Sequence, residues 1–268
     1  MQLATDHLLA DTQNLRDTRG IDIDRVGVKG LRVPLHVAQR HGGSQHTVAT
    51  VALTVDLPRH FKGTHMSRFV EVLGADAEGE ALSPSSLPRL LKKLQKRLES
   101  DSAHVDFEFP FFVEKAAPAT GARSLMDYIV RFNASAQQGA VDIMMTVIVN
   151  VTTLCPCSKA IARHGAHNQR GQVTFSVRAQ RLVWFEELIE IAERSASSEL
   201  YSLLKRPDEK VVTERAYENP VFVEDLVRNI ALRANQDERI TWYRIEAENF
   251  ESIHNHNAYA MIEKRRDE

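Results

Sequence analysis

Cysteine is scarce in this chain, which has only two among 268 residues, Cys155 and Cys157. Two thiols one residue apart make a poor structural disulfide, so a disulfide-stapled secreted domain is excluded and reduced thiols in a cytoplasm are expected. The first 24 residues contain five aspartates and no long apolar core, so they do not read as a secretory signal. No run approaches the roughly 18 apolar residues that a membrane span needs.

An excess of charge is also missing, because the formal net charge is −2. Nothing in that balance predicts a nucleic-acid or membrane partner, and a polyanionic ligand would have to be met by a local basic cluster. Hydrophobic residues make up 43% of the chain, which is enough for a sizeable core. The length fits one large domain or two of ordinary size.

The pattern of apolar residues predicts a similar order of elements in each half of the chain. Strands are predicted at 26–37, 45–57, 104–114 and 124–133, with helices at 66–73 and 87–98 between the second and third. The second half predicts strands at 141–154, 172–183, 240–250 and 258–263, with helices at 184–195, 200–204 and 221–234.

This repeated order indicates a duplicated module of the α+β class. We expect a polar N-terminal arm at 1–20, one module at 21–137 and a second at 138–268, each a four-stranded antiparallel sheet with helices on one face. Open sheets of this kind leave free edges, and oligomerisation into a closed ring is one way to remove them.

The chemistry-bearing residues concentrate in the segment 154–171, directly after a buried strand. It holds both cysteines, two imidazoles and three cations: Cys155, Cys157, Lys159, Arg163, His164, His167 and Arg170. Such a set at one strand exit predicts a site, although small buried thiols beside a solvated turn are the alternative. Cys155 and His167 are twelve apart, unlike a zinc finger, so an open catalytic metal site fits better than a closed structural one. Cys157 lies at a predicted helix start and beside Lys159. Both features lower the pKa of a thiol and so favour its thiolate form.

A second group lies in the segment 250–257, where His254 and His256 alternate and would project together, with Glu251 nearby. An exposed polar turn is the alternative reading. Glu209 and Glu224 in isolation are expected to be surface acids. Glu224 has apolar helix neighbours, however, and a half-buried carboxylate there would need N–H donors from a ligand.

Five segments together resemble GTP cyclohydrolase I of type IB, the prokaryotic form: 62–69, 153–159, 164–170, 219–225 and 251–256. The resemblance implies a bimodular tunnelling fold and a homotetramer with sites near the subunit interfaces. It also implies conversion of GTP to 7,8-dihydroneopterin triphosphate and formate, the entry to folate and related pterin pathways.

The same resemblance implies roles for individual residues. Cys155, His167 and Glu209 would hold a divalent metal, which could be Zn, Mn or Fe. Cys157 would be a second, catalytically required thiol, and Glu224 would bind the guanine. The pocket around the ribose and the opening ring would be lined by Glu251, His254 and His256. The remaining candidates to bind the substrate, chiefly its triphosphate, are Lys62, His65, Arg68, Lys159, Arg163 and Arg170.

Two other functions remain open at this point. One is a thiol-dependent enzyme of the same fold, in which Cys157 attacks a nitrile or amidine carbon of a deazaguanine or pterin without a metal. The other is a non-catalytic purine- or pterin-binding protein, which would keep Glu224 but have little use for two thiols. Metal dependence separates the first from a cyclohydrolase, and the Cys155–His167 spacing together with Glu209 favours the metal.

Overall fold

The structure is a computed structural model that describes residue 13 and residues 15–77 and 80–266. Most of the predicted polar arm at 1–20 therefore lies outside the described residues. The described end of this arm contacts the body of the chain, where Arg16 forms a bridge with Phe61.

In the described part of the chain, nine strands form one antiparallel sheet in the order β1-β2-β3-β4-β5-β6-β8-β9, with the short β7 paired to β5. The strands are β1 Ile23–Ala38, β2 Ser44–Leu57, β3 Ser102–Ala116, β4 Arg123–Gln137, β5 Ala140–Leu154, β6 Asn168–Ala179, β7 Ser198–Glu199, β8 Ile240–Asn249 and β9 Ala258–Arg265. The helices are α1 Met66–Ala77, α2 Leu87–Leu98, α3 Pro156–Ile161, α4 Phe185–Glu193, α5 Arg206–Glu218 and α6 Val223–Gln236.

Alternation along the strands sends one face of the sheet into a continuous core. In β3 the buried side chains include Val105, Phe107 and Phe109, every second residue, and the helices cover this face. The ring of Phe185 at the start of α4 lies 4.9 Å from that of Phe132 and 6.1 Å from that of Phe109, measured between centroids. Helix packing thus spans the junction between the two halves of the chain.

The α+β class is confirmed, but the halves share a single sheet. β4 and β5 pair from Ile129↔Ile148 to Gln137↔Ala140, so the predicted boundary near residue 138 is a tight hairpin turn. Gln138 and Gly139 take φ values of +51° and +81°, as such turns require. The division into modules at 21–137 and 138–268 stays a prediction, since no break in the sheet marks it.

Three predictions about elements are wrong. Residues 200–204 are not helical, because they form the link from β7 to α5. The helix α5 was not predicted, and β6 starts at Asn168 rather than 172 and ends at Ala179, before the turn into α4. Among the described residues, no helix is long and apolar enough to cross a membrane.

Candidate active site

The end of β5 turns directly into the short helix α3, and Cys155 caps it. Pro156 takes the first helical position, where its missing N–H removes no hydrogen bond. The Cys155 Sγ accepts from the backbone N–H of Ser158 at 3.4 Å. Cys157 therefore lies in the first turn of a helix, as predicted, and is exposed, whereas Cys155 is half-buried.

Ser158 links Cys155 to His167. Its hydroxyl donates to the Cys155 carbonyl at 3.1 Å and accepts from the backbone N–H of His167 at 3.2 Å. The Cys155 N–H in turn donates to the His167 carbonyl at 3.1 Å. These bonds close the loop between β5 and β6, and they hold the thiol and the imidazole on adjacent pieces of backbone.

The ring of His167 has two hydrogen-bond partners at its Nδ1 atom. Gln169 Oε1 lies 3.0 Å away and Ser252 Oγ lies 3.2 Å away. Gln169 is itself held, because its Nε2 donates to Thr153 Oγ1 at 2.9 Å. Both Gln169 and Thr153 are buried.

The loop after β8 comes to the same place because β8 pairs with β6. Gly171 faces Asn249, and the Phe250 N–H donates to the Arg170 carbonyl at 2.9 Å. Ser252 reaches His167 from this loop. The rings of His254 and His256 stack with centroids 5.1 Å apart, so they do project together. Their side chains are exposed and Glu251 is half-buried.

Glu224 is also near this end of the sheet. The Val221 N–H donates to the Leu154 carbonyl at 3.1 Å, which anchors the start of α6 beside the end of β5. Val223 and Leu226 face the core, and Glu224 between them points outward and is exposed. The prediction of a half-buried carboxylate is wrong for the single chain, because the apolar stripe of α6 excludes this position.

Two other predicted site residues, Lys159 and Glu209, lie beside or on the helix α5. The Lys159 ammonium donates to the Tyr217 carbonyl and lies 4.4 Å from the centre of the Tyr217 ring, so it is held at the end of α5. Glu209, at the start of α5, is exposed. Within the described part of the chain, no three His, Cys, Asp or Glu side chains lie close enough to hold one metal ion together. Glu209 is thus not brought to Cys155 and His167 here.

The residues Lys62, His65 and Arg68 lie at the opposite end of the sheet. They follow β2, whose last residue is Leu57, and they lead into α1. They are consequently separated from the group that surrounds Cys155.

Strand pairing gives the size of that separation. From Val55 at the end of β2, the paired residues Ala103 and Ala136 lead across to Val141 at the start of β5. The rest of β5, from Val141 to Leu154, spans on the order of 40 Å at about 3.3 Å per residue.

Residues 9–260 match the family model described as type I GTP cyclohydrolase FolE2. The chain belongs to this family.

Several curated relatives carry the name GTP cyclohydrolase FolE2. The chain is 59% identical to that of Akkermansia muciniphila over 96% of this chain and 97% of the relative. It is 54% identical to that of Nitrosomonas eutropha over 98% of each, and 53% identical to that of Syntrophus aciditrophicus over 96% and 100%.

Solved structures support the same type of fold. The uricase from Arthrobacter globiformis superposes with a TM-score of 0.56 at 9% identity, over 91% of this chain and 94% of the uricase. The urate oxidase from Bacillus subtilis gives 0.52 at 8% identity, over 90% and 98%. At these identities the likeness concerns the fold alone.

For this FolE2 family member, the donor set at the end of β5 fits a divalent ion in part. A thiolate and an imidazole are ligands that zinc and iron accept well, and His167 has its Nδ1 engaged, as metal-binding histidines usually do. Cys155 and His167 would hold the ion, and the assignment of Glu209 as a further ligand stays a prediction.

Sequence reasoning missed the residues that support the site. Ser158, Gln169 and Ser252 lie inside the matched motifs, but a polar residue without titratable chemistry gave no reason to single it out. The pairing of Thr153 with Gln169 was available only from the register of β5 and β6.

Proposed function

We propose that this FolE2 family member is a GTP cyclohydrolase I that opens the guanine imidazole ring at C8. Formate is released, and the remainder rearranges to 7,8-dihydroneopterin triphosphate at the start of folate and pterin synthesis. The observation that carries the proposal is the convergence of Cys155, His167 and the His254–His256 pair at one end of the sheet.

The reaction explains why such a group is needed. C8 of guanine is a weak electrophile, so its hydrolysis requires an activated water and proton donors for the ring nitrogens. A bound divalent ion would supply the Lewis acidity that activates water. His254 and His256, exposed on a loop beside His167, would carry protons to and from the nitrogen atoms, and the exposed Cys157 thiol would face the same space.

Base recognition is proposed for Glu224. Guanine presents two adjacent donors, N1–H and the exocyclic amine, and one carboxylate can accept both. Adenine presents an acceptor at N1, which the same carboxylate would repel. Its place in the first turn of α6 leaves the carboxylate clear of intrachain packing and open to a ligand.

We further propose that the complete site is shared between copies of the chain in a homotetramer of tandem tunnelling modules. Lys62, His65 and Arg68 lie at the far end of the sheet from Cys155, so they cannot reach a triphosphate bound there within one chain. A second copy placed end to end would supply them. Among the described residues β1 and β9 are the end strands of the sheet, and apart from the bridge between Val37 and Leu82 their outer edges could pair with another copy to close a ring.

The cellular setting is part of the proposal. Two reduced thiols and a nearly balanced charge suit a cytoplasmic enzyme that acts on a small nucleotide, with no nucleic-acid or membrane partner.

Product analysis tests the activity. Protein loaded with Mn²⁺ or Zn²⁺ should convert GTP to formate and 7,8-dihydroneopterin triphosphate, and chelation should abolish this turnover until metal is restored. Full activity of thoroughly metal-free protein would instead favour the thiol-only enzyme that acts through Cys157.

Glu224→Gln tests base recognition separately. This change replaces one acceptor oxygen with a donor and removes the charge. GTP affinity should fall by about tenfold or more while folding and metal content stay near wild type. Asp225→Asn, one residue along the same helix, is the matched control. Equal GTP affinity in Glu224→Gln and wild type would make Glu224 a plain surface acid.

A further inference from the structure

The imidazole of His167 is useful to a metal only if its Nε2 atom carries a lone pair. A neutral imidazole has one N–H, and the partner of the other nitrogen decides where it lies. The structure places Gln169 Oε1 3.0 Å from His167 Nδ1. Because an amide oxygen can only accept, this contact favours the proton on Nδ1, where the Ser252 hydroxyl 3.2 Å away can accept as well, and it leaves the lone pair on Nε2.

The amide of Gln169 must then be kept from turning over. A reversed amide would present its NH₂ group to Nδ1 and force the proton onto Nε2, where it would block a metal. Gln169 Nε2 donates to Thr153 Oγ1 at 2.9 Å, and this bond gives the amide its direction. Gln169 is 8% exposed and Thr153 is fully buried, so water does not compete for the amide.

Backbone geometry builds this arrangement from three residues. Thr153 on β5 and Gln169 on β6 are a directly paired couple, so their side chains lie next to each other on one face of the sheet. His167 precedes Gln169 by two residues, which sends its side chain toward that same face. The alternation of strands therefore aligns hydroxyl, amide and imidazole in a row.

We propose that Gln169, oriented by Thr153, is a positioning residue that fixes the Nε2-ligating tautomer of His167. The inference rests on the proposed role of His167 as a metal ligand. It adds two residues with no titratable chemistry to the machinery of the site. Outer partners of this kind commonly change metal affinity about 10- to 100-fold when removed.

The test compares Gln169→Leu with Gln169→Glu in the full-length protein. Leucine removes the acceptor, whereas a carboxylate can only accept and so restores the Nδ1–H tautomer. Zn²⁺ affinity, measured by competition with a chromophoric chelator, should fall about 10- to 100-fold in Gln169→Leu and stay within a few-fold of wild type in Gln169→Glu. The ¹⁵N shifts of the His167 ring in metal-free protein should show the Nδ1–H tautomer in wild type and Gln169→Glu only.

A second pair of variants keeps the proposal testable if Gln169→Leu does not fold. Thr153→Val has nearly the same shape but no hydroxyl to orient the amide, while Thr153→Ser retains one. Thr153→Val should weaken Zn²⁺ binding and mix the tautomers, and Thr153→Ser should do neither. Wild-type Zn²⁺ affinity and a single Nδ1–H tautomer in Thr153→Val would overturn the inference, whether or not Gln169→Leu folds.

His167→Ala separates this inference from the proposed function. If that variant loses Zn²⁺ while the Gln169 and Thr153 variants bind it normally, His167 is a ligand and the positioning role is wrong. If His167→Ala binds Zn²⁺ as wild type does, the metal assignment itself fails, and the positioning role falls with it.

Discussion

Asp208 and Glu209 are neighbours at the start of α5 and differ completely in their surroundings. Asp208 is fully buried and accepts four hydrogen bonds, from the N–H groups of Ala119, Thr120 and Lys205 and from the Thr120 hydroxyl. Glu209, about 100° further round the helix, is exposed. Glu209, which the resemblance suggests as a metal ligand, therefore takes its position from Asp208, a residue that no sequence motif singled out.

Asp208 should make stability depend on acid pH. Burial raises the pKa of this carboxyl, but the donors at Lys205, Thr120 and Ala119 outweigh burial and lower the pKa to about 2. The folded pKa lies below the unfolded value of about 3.9, so the stabilisation is complete above that pH and is lost as pH falls towards 2.

Asp208→Asn tests this dependence. An amide would turn an NH₂ group towards one of the N–H donors, so we expect a lower Tm at neutral pH and a flatter dependence of Tm on pH between about 4 and 2. Asp127→Asn, at an exposed position, is the control and should leave the slope unchanged. Equal slopes in Asp208→Asn and wild type would contradict the prediction.

The two cysteines should respond differently to substitution by alanine. Cys155 is half-buried and held through Ser158 beside His167, so Cys155→Ala should reduce bound metal per chain. Cys157 is exposed in the first turn of α3, and Cys157→Ala should abolish turnover of GTP while metal is retained. Metal content by atomic absorption and a formate assay measure the two effects. Normal metal and normal turnover in both variants would show that neither thiol takes part.

At the scale of elements, apolar periodicity predicted the long strands and the helices that carry a buried stripe. In α2, for example, Leu87, Leu90, Leu91 and Leu94 keep helical spacing, and all four are buried. The helix α5 lacked that signal because only Asp208 and Ala216 of its thirteen residues are buried. Residues 200–204 carried a false signal, since four leucine or tyrosine side chains lie close together in a connecting segment.

The sequence predicted candidate residues for the site but not how they are arranged in space. Cys155, His167 and the loop that carries His254 and His256 were identified from sequence and lie at one end of the sheet, whereas Glu209 is not brought to Cys155 and His167. The distance of Lys62 from Cys155 depends on strand direction across four strands, which no local pattern encodes.

Gly171 is an element-scale constraint on the site. A Cβ atom there would lie 2.7 Å from Asn249 Oδ1 and 3.3 Å from a methyl of Val151, where β6 meets β8. Gly171→Ala should push β8 away from β6 just before the loop that carries Glu251. We expect the free energy of unfolding to fall by on the order of 1–3 kcal/mol and the turnover of GTP to fall as well.

Gly74→Ala is the control for Gly171. Gly74 lies in α1 with open space around it, so alanine there should raise stability by about 0.5–1 kcal/mol without a change in turnover. Urea unfolding and the formate assay measure both variants. Wild-type turnover in Gly171→Ala would show that the sheet can absorb the methyl group.

At the scale of the whole molecule, the separation of Arg68 from Cys155 allows a test of the shared site. Arg68→Ala and Cys157→Ala should each be inactive alone as pure oligomers. When the two variants are unfolded and reassembled together in equal amounts, about a quarter of the sites would combine two intact ends and regain activity. Mixed oligomers with no activity would place both groups in the same chain's site. Arg68→Ala mixed with Lys92→Ala, which changes an exposed residue on α2, measures recovery when one partner is fully intact.

If the site is shared as proposed, the length of β5, on the order of 40 Å, has a consequence for how the enzyme behaves on dilution. Each chain folds around its own core, so a solitary subunit would keep its sheet and its thiols and yet hold only part of a catalytic centre. Catalytic capacity would then be a property of subunit association, set by protein concentration as much as by substrate. A cell that lowers the amount of this protein would lose activity more steeply than it loses protein.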